Sequence, residues 1–297
     1  MKLMMTISHL LKSPMNEYPS IVEYRRALAD PKSAFIEDFL ADGEVGVDQL
    51  GLPQMSSGGF ACLATVKTDT ENTWVVRLFM RSQSELPRRY RAVVEQMPCD
   101  CLLEAYYLED GIRVSGYDRN FPIVIIKFTE GPTLRSFLCN ACRKNDTNAI
   151  RELHDSFNLM KSDLQVRNLI HGDLSPDNLI VQCKQKTRIK LVDYDNCWHP
   201  SCGKLSSNVG KSAFQRRQGF RHIDPRFDDL SFAIYESVFE LLETDPEWGI
   251  EDDLYEQQLL ISTFDLEFPE SSEILSELRK VAPISYQKIL DLYNSKD

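Results

Sequence analysis

The chain has no apolar run approaching the roughly 20 residues that cross a bilayer, so a membrane span is not expected. Met1 to Met15 holds only a weak apolar stretch, broken by Ser8, His9 and Lys12, which does not read as a secretory leader. Cationic side chains are in deficit, 34 Lys and Arg against 45 Asp and Glu for a net charge of −11. That balance disfavours a general nucleic-acid binder, because most of the surface would repel phosphate. There is no internal repeat and no low-complexity tract. A second C-x-x-C to accompany Cys139-Asn140-Ala141-Cys142 is also missing, and Cys197, His199 and Cys202 lack the fourth ligand of a closed zinc site. With no leader, the eight cysteines read as reduced thiols and the expected compartment is the cytoplasm.

What is present is enough apolar content, 42% of 297 residues, for one large domain or two lobes. Ile21, Tyr24 and Leu28 recur at helical spacing and predict a helical stretch from Tyr18 to about Leu40, punctuated by Asp30-Pro31. From Leu52 the texture becomes strand-like. Ser56-Ser57-Gly58-Gly59-Phe60 is followed by Cys62 to Val66, a polar turn from Asp69 to Asn72, and Trp74 to Phe79. A short helix is expected over Pro87–Met97, then strands at Ile112–Val114 and Ile123–Ile126, with a hinge at Glu130-Gly131-Pro132. Beyond it, Ile150, Leu153, Phe157, Met160 and Leu164 form one stripe on a long helix. A further apolar helix is expected around Phe232 to Leu242, with a final helical pair after it.

The long helix leads to His171-Gly172-Asp173-Leu174-Ser175-Pro176-Asp177-Asn178-Leu179. An apolar strand ending in Asp193-Tyr194-Asp195 comes next. An Asp and an Asn five positions apart on a turn, then an Asp closing a strand, suit phosphoryl transfer. That reaction needs a carboxylate to orient a hydroxyl and oxygen ligands for magnesium.

Taken in order, these segments resemble the protein-kinase-like superfamily. More narrowly they are similar to bacterial protein-kinase-like proteins with an S-G-x-F-A loop, an H-G-D catalytic loop and a D-Y-D metal motif. The resemblance runs from about Pro19 to about Glu243. It implies an α+β, bilobal protein-kinase-like fold: a helical extension over 1–45, an antiparallel-sheet N-lobe over 46–130 and a mostly helical C-lobe over 131–297. It also implies a phosphotransferase using ATP and Mg2+, most readily a Ser/Thr protein-kinase-like enzyme acting on a protein or on itself, with no nucleic-acid or membrane partner.

Residue by residue, the resemblance makes Asp173 the catalytic carboxylate and Asn178 and Asp193 the metal ligands, with Asp195 a secondary candidate. Ser57, Gly58, Gly59, Phe60 and Ala61 would cover the nucleotide, since glycine lets backbone amides approach phosphate. Arg77 would hold the phosphates, partnered by Glu95 with Glu85 as runner-up. Lys127 and Thr129 flank the adenine at the Ile126–Thr129 segment. Asp228 would hold the catalytic-loop backbone, and His171 would brace that loop rather than act as a base.

Three departures carry alternatives. Arg77 stands where kinases place a Lys, and its fork is not equivalent to an ammonium, which keeps a nucleotide-binding pseudokinase scaffold open. Gly172 and Ser175 replace the Arg and Lys of many protein kinases and resemble aminoglycoside- and choline-kinase-like phosphotransferases, so a small-molecule acceptor is the other alternative. No A-P-E motif is visible, and Phe214-Gln215-Arg216-Arg217 is the stretch that favours the bacterial protein-kinase-like group. Lys211, Arg216, Arg217, Arg221 and Arg226 make a basic stretch, and Ser206, Ser207 and Ser212 are candidate autophosphorylation sites.

Overall fold

The computed structural model describes residues 17–96, 98–203, 225–250 and 259–295. They divide into two units of an α+β fold. The first comprises the described residues up to Ser84 together with Tyr106–Phe128; the second comprises Glu85–Ala105 and those from Thr129 onward.

In the first unit three short helices, α1 (Ile21–Leu28), α2 (Pro31–Ala34) and α3 (Asp38–Ala41), replace the continuous helical stretch expected over Tyr18–Leu40. Ser20 opens α1 with a reciprocal capping box to Glu23. Pro31 cannot continue α1 because it has no N–H to donate, so it starts α2 instead. Phe35 then leaves the helical path to bridge Ile112.

The sheet is antiparallel in every pair whose register is defined. Its strands are β1 (Glu44–Val45), β2 (Ser56–Ser57), β3 (Ala61–Lys67), β4 (Thr73–Phe79), β5 (Ala105–Arg113) and β6 (Asn120–Lys127). They run in the order β1-β3-β4-β6-β5, with β2 also on β3. The period of two decides the core face. Cys62, Ala64 and Val66 of β3, Trp74, Val76 and Leu78 of β4, and Phe121, Ile123 and Ile125 of β6 all face Tyr24, Leu28 and Leu40 of the helices. The amino-terminal helices therefore share the core of the sheet. Tyr24 is fully buried, and its hydroxyl is satisfied by the Phe79 carbonyl at 2.7 Å. Strand β5 begins seven residues before the expected Ile112. Its stretch through Glu109 and Asp110 reads as polar, but it lies at the end of the strand order, where charge is tolerated.

In the second unit α4 spans Leu86–Glu95, α5 spans Leu134–Arg143 and α6 spans Thr147–Val166. The stripe Ile150, Leu153, Phe157, Met160 and Leu164 is the buried face of α6. It packs on α7 (Asp229–Thr244), where Phe157 meets Tyr235 at 4.8 Å and Phe239 at 5.4 Å between ring centroids. A two-stranded hairpin, β7 (Leu179–Cys183) and β8 (Thr187–Leu191), lies against α6, with Leu179 paired to Leu191 and Val181 to Ile189. Gly131 feeds this hairpin at φ +150, and a Cβ there would sit 2.3 Å from the Val181 carbonyl, so the expected hinge can only be glycine. Helices α8 (Thr263–Glu267), α9 (Glu273–Val281) and α10 (Pro283–Asn294) complete the described part; the last two are the expected helical pair.

Candidate functional site

Asp173, Asn178 and Asp193 come together at one end of the β7–β8 hairpin. The Leu179–Leu191 pair closes the ladder, and one step further the Val192 N–H donates to the Asn178 carbonyl at 3.0 Å. That bond sets the backbone of Asn178 beside the approach to Asp193. The Asn178 amide group donates to the Asp173 carbonyl at 2.9 Å, and its backbone N–H donates to Ser175 at 2.9 Å. With Nδ2 committed, the Asn178 Oδ1 is the atom left to accept. All three side chains are half-buried rather than sealed. Asp193 sits at φ 63, in the left-handed region, where Asp is among the few residues tolerated. A strained carboxylate at the end of a strand is a recurrent mark of a functional position.

The loop carrying Asp173 is held from several sides. Asp228, at the start of α7, accepts the backbone N–H of His171 at 2.7 Å and of Gly172 at 3.0 Å, the role expected of it. Burial pushes its pKa up to about 6, against the pull of the His171 ring and the two amides. His171 is fully buried, and its Nε2 donates to the Val192 carbonyl at 3.0 Å, so it braces the loop as expected. Ile170 and Trp198 exchange backbone hydrogen bonds at 2.8 and 2.9 Å. Gly172 has φ +76, and a Cβ on it would lie 2.5 Å from the Asn196 carbonyl, so an arginine cannot take its place in this loop geometry. The Tyr235 hydroxyl donates to the Leu174 carbonyl at 2.8 Å from the buried face of α7. Arg135 of α5 pairs with Asp177 at 3.3 Å and brings a cation onto the same loop.

Sequence reasoning missed a second layer. Tyr194, the central residue of the D-Y-D motif, is fully buried; its hydroxyl accepts from the Leu103 N–H at 2.7 Å and donates to the Leu191 carbonyl at 2.8 Å. Asp195 accepts from the Tyr90 hydroxyl at 3.1 Å, so this secondary metal candidate is a partner of α4. Arg89, only 1% exposed, bonds Glu85 at 2.9 Å and the Cys197 carbonyl at 3.2 Å. No periodicity in the sequence marks a buried arginine; its one local signal is the i, i+4 spacing from Glu85. Glu85 is thereby engaged on its own helix, while Glu95, the residue preferred as ion-pair partner, is exposed at the last position of α4.

The remaining nucleotide candidates fall as follows. Ser57 pairs with Cys62, and the Gly58 N–H donates to the Ala61 carbonyl at 2.9 Å, so this amide closes the β2–β3 turn. Gly59 and Phe60 are exposed at the tip, with Arg81 stacked 5.2 Å over the Phe60 ring. Gly59 and Arg81 also line a cavity of about 520 Å³ with Met80 and Ser82. Arg77, opposite Leu63 and Val124, projects from the sheet face away from the helices, with its guanidinium 5.9 Å from the Phe79 ring centre. Lys127 ends β6 opposite Trp74, and Thr129 accepts a hydrogen bond from Gln182 on β7. A cavity of about 870 Å³ lies among α6, α7 and α10 and is lined by none of these residues.

Among the described residues, Cys197, His199 and Cys202 do not converge as metal ligands. Cys197 is buried, His199 bonds Ser201 at 2.8 Å, and the Cys202 thiol faces the Arg88 carbonyl at 3.6 Å. Cys139 and Cys142 are buried on α5, and burial raises the Cys142 pKa to about 11, which fits structural thiols. Ser206, Ser207, Ser212, the Phe214–Arg217 stretch, Lys211 and Arg221 lie outside the described residues; of the basic stretch only Arg226 lies within them. No described helix is long and apolar enough to cross a membrane. No family model matches the chain, and no curated protein matches it.

Proposed function

We propose that the chain is a protein-kinase-like phosphotransferase that moves the γ-phosphate of ATP to a hydroxyl group. The observation that supports this reading is the hydrogen-bonded approach of the Asp173, Asn178 and Val192–Asp193 backbone at the end of the β7–β8 hairpin. The transition state of such a transfer is loose, so the protein contributes position and charge more than bond-making. Asp173 orients the attacking hydroxyl and takes its proton late. Asn178 Oδ1 and the Asp193 carboxylate are hard oxygen donors and suit magnesium, which takes few protein ligands and fills the rest of its shell with water and phosphate. When bound, the cation neutralises charge on the phosphates. Asp228, Tyr235 and His171 keep the loop from yielding while the hydroxyl attacks. The phosphate contacts remain assigned by resemblance to Ser57–Ala61 and Arg77, and the acceptor is a protein Ser or Thr.

Incubation with labelled ATP, magnesium and a panel of acceptors tests the reading. Transfer by the native chain should fall roughly 10²–10⁴-fold in Asp173→Asn, the range lost with a general acid–base group. Equal transfer by both would end the proposal. Arg77 in place of a lysine favours a second reading, a nucleotide-binding scaffold without turnover. Thermal stabilisation by Mg-ATP combined with no transfer to protein, to the chain itself or to amino alcohols selects it.

A further inference from the structure

A cluster of side chains in the second unit is not used by the proposed chemistry. Cys99 and Cys101 flank Asp100 in the segment after α4, and their sulfurs are 3.2 Å apart. The Leu102 N–H donates to the Cys99 carbonyl at 3.1 Å, a turn that brings the two cysteines closer than an extended chain would. Asp163 of α6 places Oδ2 3.9 Å from the Cys99 sulfur. Cys101 is buried, and Cys99 is half-buried. Cys101 and Asp163 line a cavity of about 260 Å³ whose wall also carries Lys186 and Arg188.

We propose that Cys99 and Cys101 form a thiol–disulfide exchange site for small anionic disulfides, with Cys99 as the attacking sulfur and Cys101 as the resolving one. The division of labour follows from exposure: Cys99 is half-buried as a residue, whereas Cys101 is buried. The two sulfurs share a hydrogen bond, and this contact, with help from Arg167, lowers the Cys99 pKa to about 6 while that of Cys101 rises. A thiolate at neutral pH beside a retained thiol is the pairing such exchange needs. The other charges nearby are accounted for. Arg167 donates to the Gln96 and Pro98 carbonyls at 2.9 and 3.1 Å, Arg188 pairs with Asp100 at 3.0 Å, and Lys190 bonds the Asp100 carbonyl. Asp163 opposes the thiolate.

The steps balance. The Cys99 thiolate attacks RS–SR, forming Cys99–S–SR and releasing RS⁻. Cys101 then gives up its proton and attacks the Cys99 sulfur, expelling the second RS⁻, which is protonated. The dithiol loses two electrons, and the small disulfide becomes two thiols. Closure needs the sulfurs to approach by only about 1.2 Å, to a bond of about 2.05 Å. The site stands independently of the phosphotransfer reading. Its backbone nevertheless adjoins that motif, because the Leu191 N–H donates to the Cys101 carbonyl at 2.8 Å.

The test is peptide mass mapping of the reduced full chain after exposure to glutathione disulfide at pH 7, with alkylation rates followed in parallel. The Cys99–Cys101 peptide should become two mass units lighter without an adduct. In Cys101→Ser the adduct should remain on Cys99, and in Cys99→Ser the Cys101 thiol should stay unmodified. Cys183, exposed elsewhere on β7, is the internal standard. Cys99 should alkylate at least about tenfold faster than Cys183 at pH 7 and fall to its rate in Cys101→Ser. A misfolded variant would reveal itself by alkylation of the buried Cys62 and Cys142. Equal rates for Cys99 and Cys183 in the native chain, or separate stable adducts on both cysteines, would overturn the proposal.

Discussion

Two glycine-bearing turns, Ser57–Ala61 in the first unit and His171–Asp173 in the second, both carry motifs in the sequence but are built in opposite ways. The first is an exposed hairpin tip held by the Gly58–Ala61 backbone bond and by the Met80 N–H on the Phe60 carbonyl, with nothing within 4 Å of a Cβ placed on Gly59. The second is over-determined: two amides on one buried carboxylate, a buried imidazole on the Val192 carbonyl, and a glycine whose conformation admits no side chain. A turn that must hold a reacting carboxylate within a fraction of an ångström needs that kind of support. A turn that offers backbone amides to a ligand can be ordered by the ligand itself. The tight turn is therefore where stability and chemistry should fail together, and the open one is where they should separate.

Four changes would break or sharpen this contrast. Asp228→Ala strands two buried amides and should cost roughly 2–5 kcal/mol in chemical unfolding, with transfer lost alongside. A cost under 1 kcal/mol would show that the loop does not depend on that carboxylate. The same residue predicts a pH effect. Its folded pKa is raised from 3.8 to about 6, so the folded state holds the proton more tightly. That stabilisation is complete below about pH 4 and lost as pH rises through about 6, a change of roughly 2–3 kcal/mol. The unfolding free energy of the native chain relative to Asp228→Asn should fall by that amount between pH 4 and 7; a flat difference would contradict it. Gly172→Ala should cost roughly 2 kcal/mol from the positive φ and the contact with Asn196. Gly59→Ala should leave stability within about 0.5 kcal/mol while altering the dependence of transfer on ATP concentration. Equal stability losses at the two glycines would erase the contrast.

The buried stripe of α6, the strands β3, β4 and β6, and the Gly131 turn were legible because each follows a periodicity or a punctuation that local sterics impose. So was the pairing of Asp228 with the His171–Gly172 backbone, through resemblance. What escaped was non-local. The break at Phe35 answers to Ile112, some 77 residues later, and β5 is polar because of its place in the sheet. Glu95 looked well placed along the chain, yet α4 turns Arg89 and Tyr90 inward and leaves Glu95 outside. Asp195 was a secondary metal candidate, and its carboxylate accepts the Tyr90 hydroxyl from α4.

Sequence order and resemblance thus nominated the residues proposed for phosphoryl transfer, because the motifs that carry them are local. Tertiary structure decided which of them meet and which are spent on support, since a hydrogen bond from a distant helix can turn a reactive group into a brace. It also drew Cys99, Cys101 and Asp163 into one cluster. Residues 62 positions apart along the chain have no reason to touch until α6 is packed against the segment after α4.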